Sequence, residues 1–239
     1  MAIKSGETTY HQAKRGIVQN GLVLNLDAGV KESYITGSTW KDLSDNKKDA
    51  LLINGPSLNK EKGGNLTLDG TNQFIRINDD DSFDGLSGLT LSLWFYADSA
   101  SGSGGNNYGA LLIRKSYVFS LSFNNNNNFG TGAYIHNGTS WSGFMTGPSV
   151  SASTWVNLIL TYNGSTCLFY KNGSLTSTRI PSVTGDLGSS TDNVSIGTVD
   201  GTSGYELQGA VSNCQIYNRA LTATEVLQNY NVTRHRFGV

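Results

Sequence analysis

Strict alternation of apolar and other residues is the feature that most narrows the fold of this sequence. In residues 89–96 (Leu-Thr-Leu-Ser-Leu-Trp-Phe-Tyr), Leu89, Leu91 and Leu93 fall on one face of an extended chain. A period of two predicts a strand with one face in a core. Similar short runs, such as residues 155–162, recur between turns rich in Gly, Asn and Asp. We therefore predict an all-β chain of antiparallel strands.

Two local motifs add detail to this prediction. The Asn172-Gly173 pair tolerates positive φ at both central positions of a turn, which predicts a type I′ hairpin. Residues 221–227 predict a short helix, because Thr222 is a good N-cap and Glu225 lies three residues on, where it completes a capping box. Together with the strands, these motifs predict a β-sandwich with one short C-terminal helix.

Length and charge limit the domain count and the classes of partner. The chain has 239 residues, a net charge of -1 and a pI near 6.3, so it lacks the basic field that nucleic-acid binding needs. It has no apolar run of membrane-span length and no signal-peptide pattern near its first residue. Residues 1–20 are polar and aperiodic. We expect them to form an N-terminal arm, followed by one domain over residues 21–239.

The residues needed for catalysis are not grouped. Retaining glycosidases need two carboxylates about 5 Å apart, which alternate acidic residues on a strand can supply. The five glutamates have no such neighbours within a strand, so we expect no enzyme activity. Cys167 and Cys214 lie in strand-like runs. They are predicted to be small buried hydrophobes, with a bridge between packed strands as the alternative.

One acidic loop raises the question of a metal. Asp79, Asp81 and Asp84 lie within a short segment and offer enough hard oxygen atoms for Ca²⁺ if they converge. Adjacent aspartates on an extended chain point apart, and the spacing is not that of an EF-hand. A solvated acidic turn is therefore favoured, with no cofactor expected and calcium as the alternative.

Six segments carry a further pattern: residues 21–29 (Gly-Leu-Val-Leu-Asn-Leu-Asp-Ala-Gly), 40–44 (Trp-Lys-Asp-Leu-Ser), 68–75 (Leu-Asp-Gly-Thr-Asn-Gln-Phe-Ile), 91–95 (Leu-Ser-Leu-Trp-Phe), 170–173 (Tyr-Lys-Asn-Gly) and 216–222 (Ile-Tyr-Asn-Arg-Ala-Leu-Thr). Together they resemble the concanavalin A-like, laminin-G-like superfamily. The resemblance implies a two-sheet antiparallel jelly-roll sandwich, and some laminin-G-like domains bind calcium on a loop rim. The first of these segments, together with residues 229–231 (Asn-Tyr-Asn) and 236–238 (Arg-Phe-Gly), looks most like versions found in structural proteins of tailed-bacteriophage virions.

This resemblance implies a non-catalytic virion structural protein, acting in capsid decoration or as a tail-associated module. The expected partners are capsid or tail proteins, the expected location is the virion, and a homo-oligomer such as a trimer is expected. Arg234, Arg236 and Phe237 form a candidate docking tail, because Arg and aromatic residues are enriched at the strongest contacts of interfaces. A frayed end is the alternative.

The alternative function is that of a carbohydrate-binding adhesin that recognises host-surface glycans. Sugar rings stack on aromatic faces and exchange hydrogen bonds with amide groups. The candidate glycan-binding residues are Tyr108, Tyr134, His136, Asn137 and Trp141, all placed near loops. Trp141 is the best candidate for exposure, with a hydrophobic plug beneath a loop as its alternative role.

Overall fold

A computed structural model describes residues 16–34, 36–99, 110–124, 129–200 and 202–239. Helix α1 spans Ala223–Thr233, and three short 3-10 helices span Glu61–Gly63, Asp81–Phe83 and Arg234–Arg236. The described strands are β1 (Leu22–Asp27), β2 (Thr39–Trp40), β3 (Ala50–Ile53), β4 (Ser57–Asn59), β5 (Asn65–Asp69), β6 (Phe74–Ile77), β7 (Leu89–Ala97), β8 (Leu111–Lys115), β9 (Phe119–Phe123), β10 (Gly130–Ile135), β11 (Met145–Ser149), β12 (Val156–Tyr162), β13 (Cys167–Lys171), β14 (Ser174–Arg179), β15 (Val194–Ile196) and β16 (Gln208–Tyr217).

The strands form two antiparallel sheets. Sheet A has the order β14-β13-β12-β7-β16-β5-β4, and β1 pairs with the second half of β16 beyond the end of β5. Sheet B has the order β11-β10-β9-β8-β15-β6-β3-β2. The predicted all-β sandwich with one short C-terminal helix is confirmed.

The core lies between the sheets, and β7 shows how the sequence places it there. Leu91 faces Leu160 of β12 on one side and Ile216 of β16 on the other, and all three side chains are fully buried. The residue after Leu93 in this strand, Trp94, points to the outer face of sheet A and joins a separate cluster. The alternation in the sequence therefore assigns the two faces of this strand correctly.

Helix α1 covers part of the outer face of sheet A. The predicted capping box is present: the Glu225 N–H donates to Thr222 Oγ1 at 3.3 Å, and Glu225 Oε2 accepts from the Thr222 N–H at 2.9 Å. The helix continues past the predicted end at residue 227 because Asn229 and Tyr230 are buried against the domain.

The predicted boundary between arm and domain at residue 20 needs correction. Ile17 and Val18 are buried, the Val18 N–H donates to Asn229 Oδ1 at 2.8 Å, and the Tyr217 hydroxyl donates to the Val18 carbonyl at 3.0 Å. The domain therefore includes residues 17 and 18, because their backbone groups complete hydrogen bonds with helix α1 and β16. Residues 1–15 lie outside the described residues.

The docking-tail prediction also needs correction for two of its three residues. Arg236 forms an ion pair with Asp27 at 2.8 Å, and its guanidinium donates to Ser212 Oγ at 2.7 Å. Phe237 is buried and stacks on Trp94 with ring centroids 3.9 Å apart. These two side chains therefore hold the C-terminal segment on sheet A, whereas Arg234 is exposed.

The predictions on the hairpin and the cysteines are confirmed. Asn172 and Gly173 have φ angles of 50° and 76°, and they join β13 to β14 in a two-residue turn. Cys167 and Cys214 are buried free thiols, and burial raises the pKa of Cys167 to about 12. Within the residues described, no helix has the length and apolar character needed to cross a membrane.

Candidate functional site

The outer face of sheet B carries a cluster of aromatic side chains around an arginine. In the central strands, Ile113, Leu121 and Ala133 are register partners whose side chains lie in the core. The following residues on β8 and β10, Arg114 and Tyr134, therefore project from the opposite face of the sheet. Both side chains remain partly exposed there.

The loop after β10 folds back over this face. His136 and Trp141 form an antiparallel bridge, and Asn137 Oδ1 accepts the Thr139 and Ser140 N–H groups at 3.1 and 3.0 Å. The Asn137 oxygen thus holds the tight turn that returns Trp141 to the sheet. The amide nitrogen of Asn137 donates to the Thr184 carbonyl at 3.4 Å, and a role for Asn137 in sugar binding stays a prediction.

Four rings gather where the loop meets the sheet. The Trp141 ring lies 4.9 Å from that of His136, 6.2 Å from that of Tyr134 and 6.1 Å from that of Tyr117, measured between centroids. Tyr117 belongs to the β8–β9 turn, has a φ of 60° and is 57% exposed. We call Tyr117, Tyr134, His136 and Trp141, with Arg114, the aromatic face.

The polar atoms of the aromatic face are held in defined positions. His136 Nδ1 accepts the Gly138 N–H at 3.0 Å, so a neutral imidazole carries its proton on Nε2. The Arg114 guanidinium lies over the Trp141 ring, 5.7 Å from its centroid, and Nε donates to Ser116 Oγ at 3.3 Å. Burial lowers the pKa of Arg114, which nonetheless stays charged at neutral pH. The face therefore combines ring surfaces with fixed hydrogen-bond donors.

Two of the three candidate calcium-binding residues contact a lysine side chain. The fully buried Lys115 ammonium pairs with Asp79, and it contacts Asp84 Oδ2 at 3.1 Å. Asp81 begins a 3-10 helix and has no part in this contact. In the described ranges, no three His, Cys, Asp or Glu side chains form a metal-binding group. The calcium alternative is therefore corrected, since the Lys115 ammonium already binds two of the three candidate carboxylates.

Two of the glutamates have structural roles. Glu206 is buried and accepts the Gly204 N–H at 2.8 Å. Glu225 caps helix α1 and forms an ion pair with Arg219 at 2.6 Å. Both side chains are thereby tied to local structure.

A groove of about 510 Å³ lies on the outer side of sheet A. Tyr96 and Trp155 form part of its wall, with ring centroids 5.8 Å apart, and Asn59 and Asp98 are among its polar residues. Phe237 also borders it.

Sequence reasoning found part of the aromatic face. It named Tyr134, His136 and Trp141, which the fold brings together, whereas Tyr108 lies outside the described residues. It missed Arg114 and Tyr117. The available signal was an arginine that follows three apolar residues in one strand, with a tyrosine in the next turn.

Residues 69–227 match the family described as Laminin_G_3, concanavalin A-like lectin/glucanases superfamily. No curated protein matches the chain. Solved structures with the same fold are found at low sequence identity, where similarity shows the fold alone.

Two solved structures illustrate this similarity. The binding domain of Paraclostridial Mosquitocidal Protein 1 is 16% identical, with a TM-score of 0.68, and the match covers 88% of this chain and 52% of that one. This chain thus spans about half of that binding domain. Domain 4 of AbnA, a GH43 extracellular arabinanase from Geobacillus stearothermophilus, in complex with arabinotriose, is 14% identical, with a TM-score of 0.65, and the match covers 89% of this chain and 100% of that domain.

Proposed function

This chain belongs to the concanavalin A-like lectin/glucanase superfamily, and from that premise we propose that it is a non-catalytic carbohydrate-binding module. The proposed binding surface is the aromatic face on sheet B. This is the role given above as the alternative to a virion structural protein.

The observation that carries the proposal is the arrangement of rings around Trp141. Sugars present C–H faces that stack on aromatic rings, and their hydroxyl groups need fixed donors and acceptors at the rim. The exposed Tyr117 ring and the partly exposed Trp141 ring supply the stacking surface. Arg114 and the His136 imidazole supply donors within the same cluster.

The arabinanase domain supports this proposal by analogy. That domain, which the match covers completely, was solved in complex with arabinotriose. The same kind of sandwich can therefore bind an oligosaccharide. The match does not assign arabinotriose to this chain, so the sugar has to be found by experiment.

A glycan array followed by calorimetry tests the proposal with two tryptophan variants. Trp141→Ala removes the central ring of the aromatic face, and we expect glycan binding to fall by about tenfold or more, as for loss of an aromatic stacking contact. Trp155→Ala removes a ring of similar exposure from the groove on sheet A and should leave the affinity unchanged. Circular dichroism spectra of both variants should match the parent spectrum.

Two results would contradict the proposal. One is the absence of binding to any glycan on a broad array. The other is a loss of binding in Trp155→Ala that Trp141→Ala does not share, because binding would then belong to the groove on sheet A.

The role in a tailed-bacteriophage virion, in capsid decoration or in the tail, stays a prediction from sequence resemblance, as does the homo-oligomer. The matched structures described above are a toxin binding domain and an arabinanase domain, so they add no support specific to phage particles. Mass spectrometry of purified particles should detect this chain together with capsid or tail proteins. Intact particles that lack it would contradict the virion role.

A further inference from the structure

Two arginines lie on the outer face of sheet B, and only one of them forms an ion pair with a described residue. Arg114 of β8 and Arg76 of β6 are both register partners of Ser195 in β15, so they flank one position. Arg76 forms a two-pronged ion pair with Asp200, at 2.7 and 2.6 Å. Within the described part of the chain, the Arg114 guanidinium has no carboxylate within 4 Å.

Polar atoms of Arg114 and Ser120 lack hydrogen-bond partners among the described residues. Its described hydrogen bond uses Nε and ends on Ser116 Oγ, which leaves both terminal nitrogens without a partner among the described residues. Ser120, between Arg114 and Tyr134 in the strand register, is 1% exposed, and its hydroxyl also lacks a partner in the part of the chain that is described. Burial is costly for a cation and lowers the pKa of Arg114, and the Asp192 carboxylate opposes this shift without forming a described ion pair with the guanidinium.

The Trp141 ring limits where the guanidinium can point. With Cζ 5.7 Å from the ring centroid, the planar group is held by a cation–π contact beside the sugar-stacking surface. A guanidinium presents its N–H groups as a rigid fork that matches the two oxygens of a carboxylate. A bound carboxylate would form an ion pair with Arg114 and accept hydrogen bonds from its two terminal nitrogens.

We infer that the aromatic face binds an acidic glycan, and that Arg114 receives the carboxylate of that sugar. This inference rests on the proposed function and narrows it to one class of ligand. Trp141 and Tyr117 stack on the sugar rings, while Arg114 selects for the negative charge.

The test compares acidic sugars with neutral sugars of matched size. Sialyllactose with lactose, and oligogalacturonate with its carboxyl-reduced form, are suitable probes for calorimetry. We expect the parent protein to bind the acidic member of a pair about tenfold or more tightly, as for a charge-assisted hydrogen-bonded pair. Raising the salt concentration should weaken the acidic complex more than the neutral one.

Substitutions then assign the preference to one residue. Arg114→Gln should abolish the preference for the acidic sugar and weaken acidic binding far more than neutral binding, because the ring stacking that both sugars share remains. Arg114→Lys keeps the charge without the fork and should retain only part of the preference. Arg179→Gln removes the same charge from the edge of sheet A and should behave like the parent protein.

The outcomes separate this inference from the proposed function. Equal binding of acidic and neutral sugars, or a preference that survives in Arg114→Gln, overturns the inference and leaves the proposed function standing. Failure of every acidic and neutral glycan to bind overturns both. If Arg114→Gln does not fold, Arg114→Lys still decides the matter by its ratio of acidic to neutral affinity.

Discussion

At the residue scale, one ion pair stabilises the start of helix α1. Arg219 binds both carboxylate oxygens of Glu225, at 2.6 and 3.0 Å, and Glu225 also accepts the Thr222 N–H. The Arg219 side-chain hydrogen bond lowers the pKa of Glu225 to about 2 from an ordinary 4.5. Since the charged form is favoured in the folded state, this carboxylate stabilises the fold only while it is ionised.

Glu225→Gln should therefore change how stability depends on pH. The folded pKa lies below the unfolded pKa, so the contribution of Glu225 is fully present above about pH 4.5 and is lost as the pH falls toward about 2. We expect the variant to be less stable by about 0.5 kcal/mol at neutral pH, because glutamine can keep the capping hydrogen bond but loses the ion pair with Arg219. The deficit should shrink through that acidic window. Urea unfolding at several pH values measures it.

The exposed Glu61 provides the control for this experiment. Glu61→Gln should leave the unfolding free energy almost unchanged across the same pH range, because its side chain is exposed. A constant deficit in Glu225→Gln from neutral pH down to about pH 2 would contradict the proposed linkage.

At the element scale, the C-terminal segment after helix α1 acts as a cover on sheet A. Trp94, 1% exposed, lies between Phe237 and Tyr230, and its indole N–H donates to Thr233 Oγ1 at 2.9 Å. Arg236 fixes the same segment to Asp27. Stacked rings and a buried ion pair together keep these residues on the sheet, where they close one side of the groove beside Trp155.

Phe237→Ala should remove the ring that stacks on Trp94 and so loosen the C-terminal segment from sheet A. Removal of a buried phenylalanine ring costs about 3 kcal/mol in typical cores. We expect a loss of that order in the free energy of unfolding and a shift in the fluorescence of Trp94. Val239→Ala, at a position that is 45% exposed, should change neither quantity. Unchanged stability in Phe237→Ala would show that the segment is not packed on the sheet.

At the scale of the whole molecule, the two outer faces of the sandwich are covered to different extents. Helix α1, the C-terminal segment and residues 17 and 18 cover part of sheet A, whereas the aromatic face of sheet B keeps partly exposed aromatic and cationic side chains outward. The shared core between them is continuous from β1 to β16. This continuity gives the aromatic face a rigid base, and rigid support limits the entropy lost when a ligand binds.

Local patterns in the sequence predicted several elements of this fold. The alternation in residues 89–96 predicted which side chains share a face of β7. The Asn172-Gly173 pair predicted a turn, and Thr222 with Glu225 predicted the start of a helix. Each of these signals involves residues within a few positions of one another. Their geometry follows from backbone sterics and nearby hydrogen bonds, so no knowledge of the tertiary fold is needed.

The candidate site and the position of the C-terminal segment depended on the tertiary structure. Asp27 and Arg236 are 209 residues apart in the chain and meet only because β1 and the end of helix α1 lie on the same sheet. Likewise, Arg114 meets Trp141 only after β8, β9 and β10 pair and the next loop folds back. Strand pairing and loop closure bring distant residues together, and a single sequence carries no local record of those contacts. The sequence by itself thus determined many of the strands, one tight turn and the start of the helix. Packing decided which side chains cover sheet A and which remain exposed on sheet B.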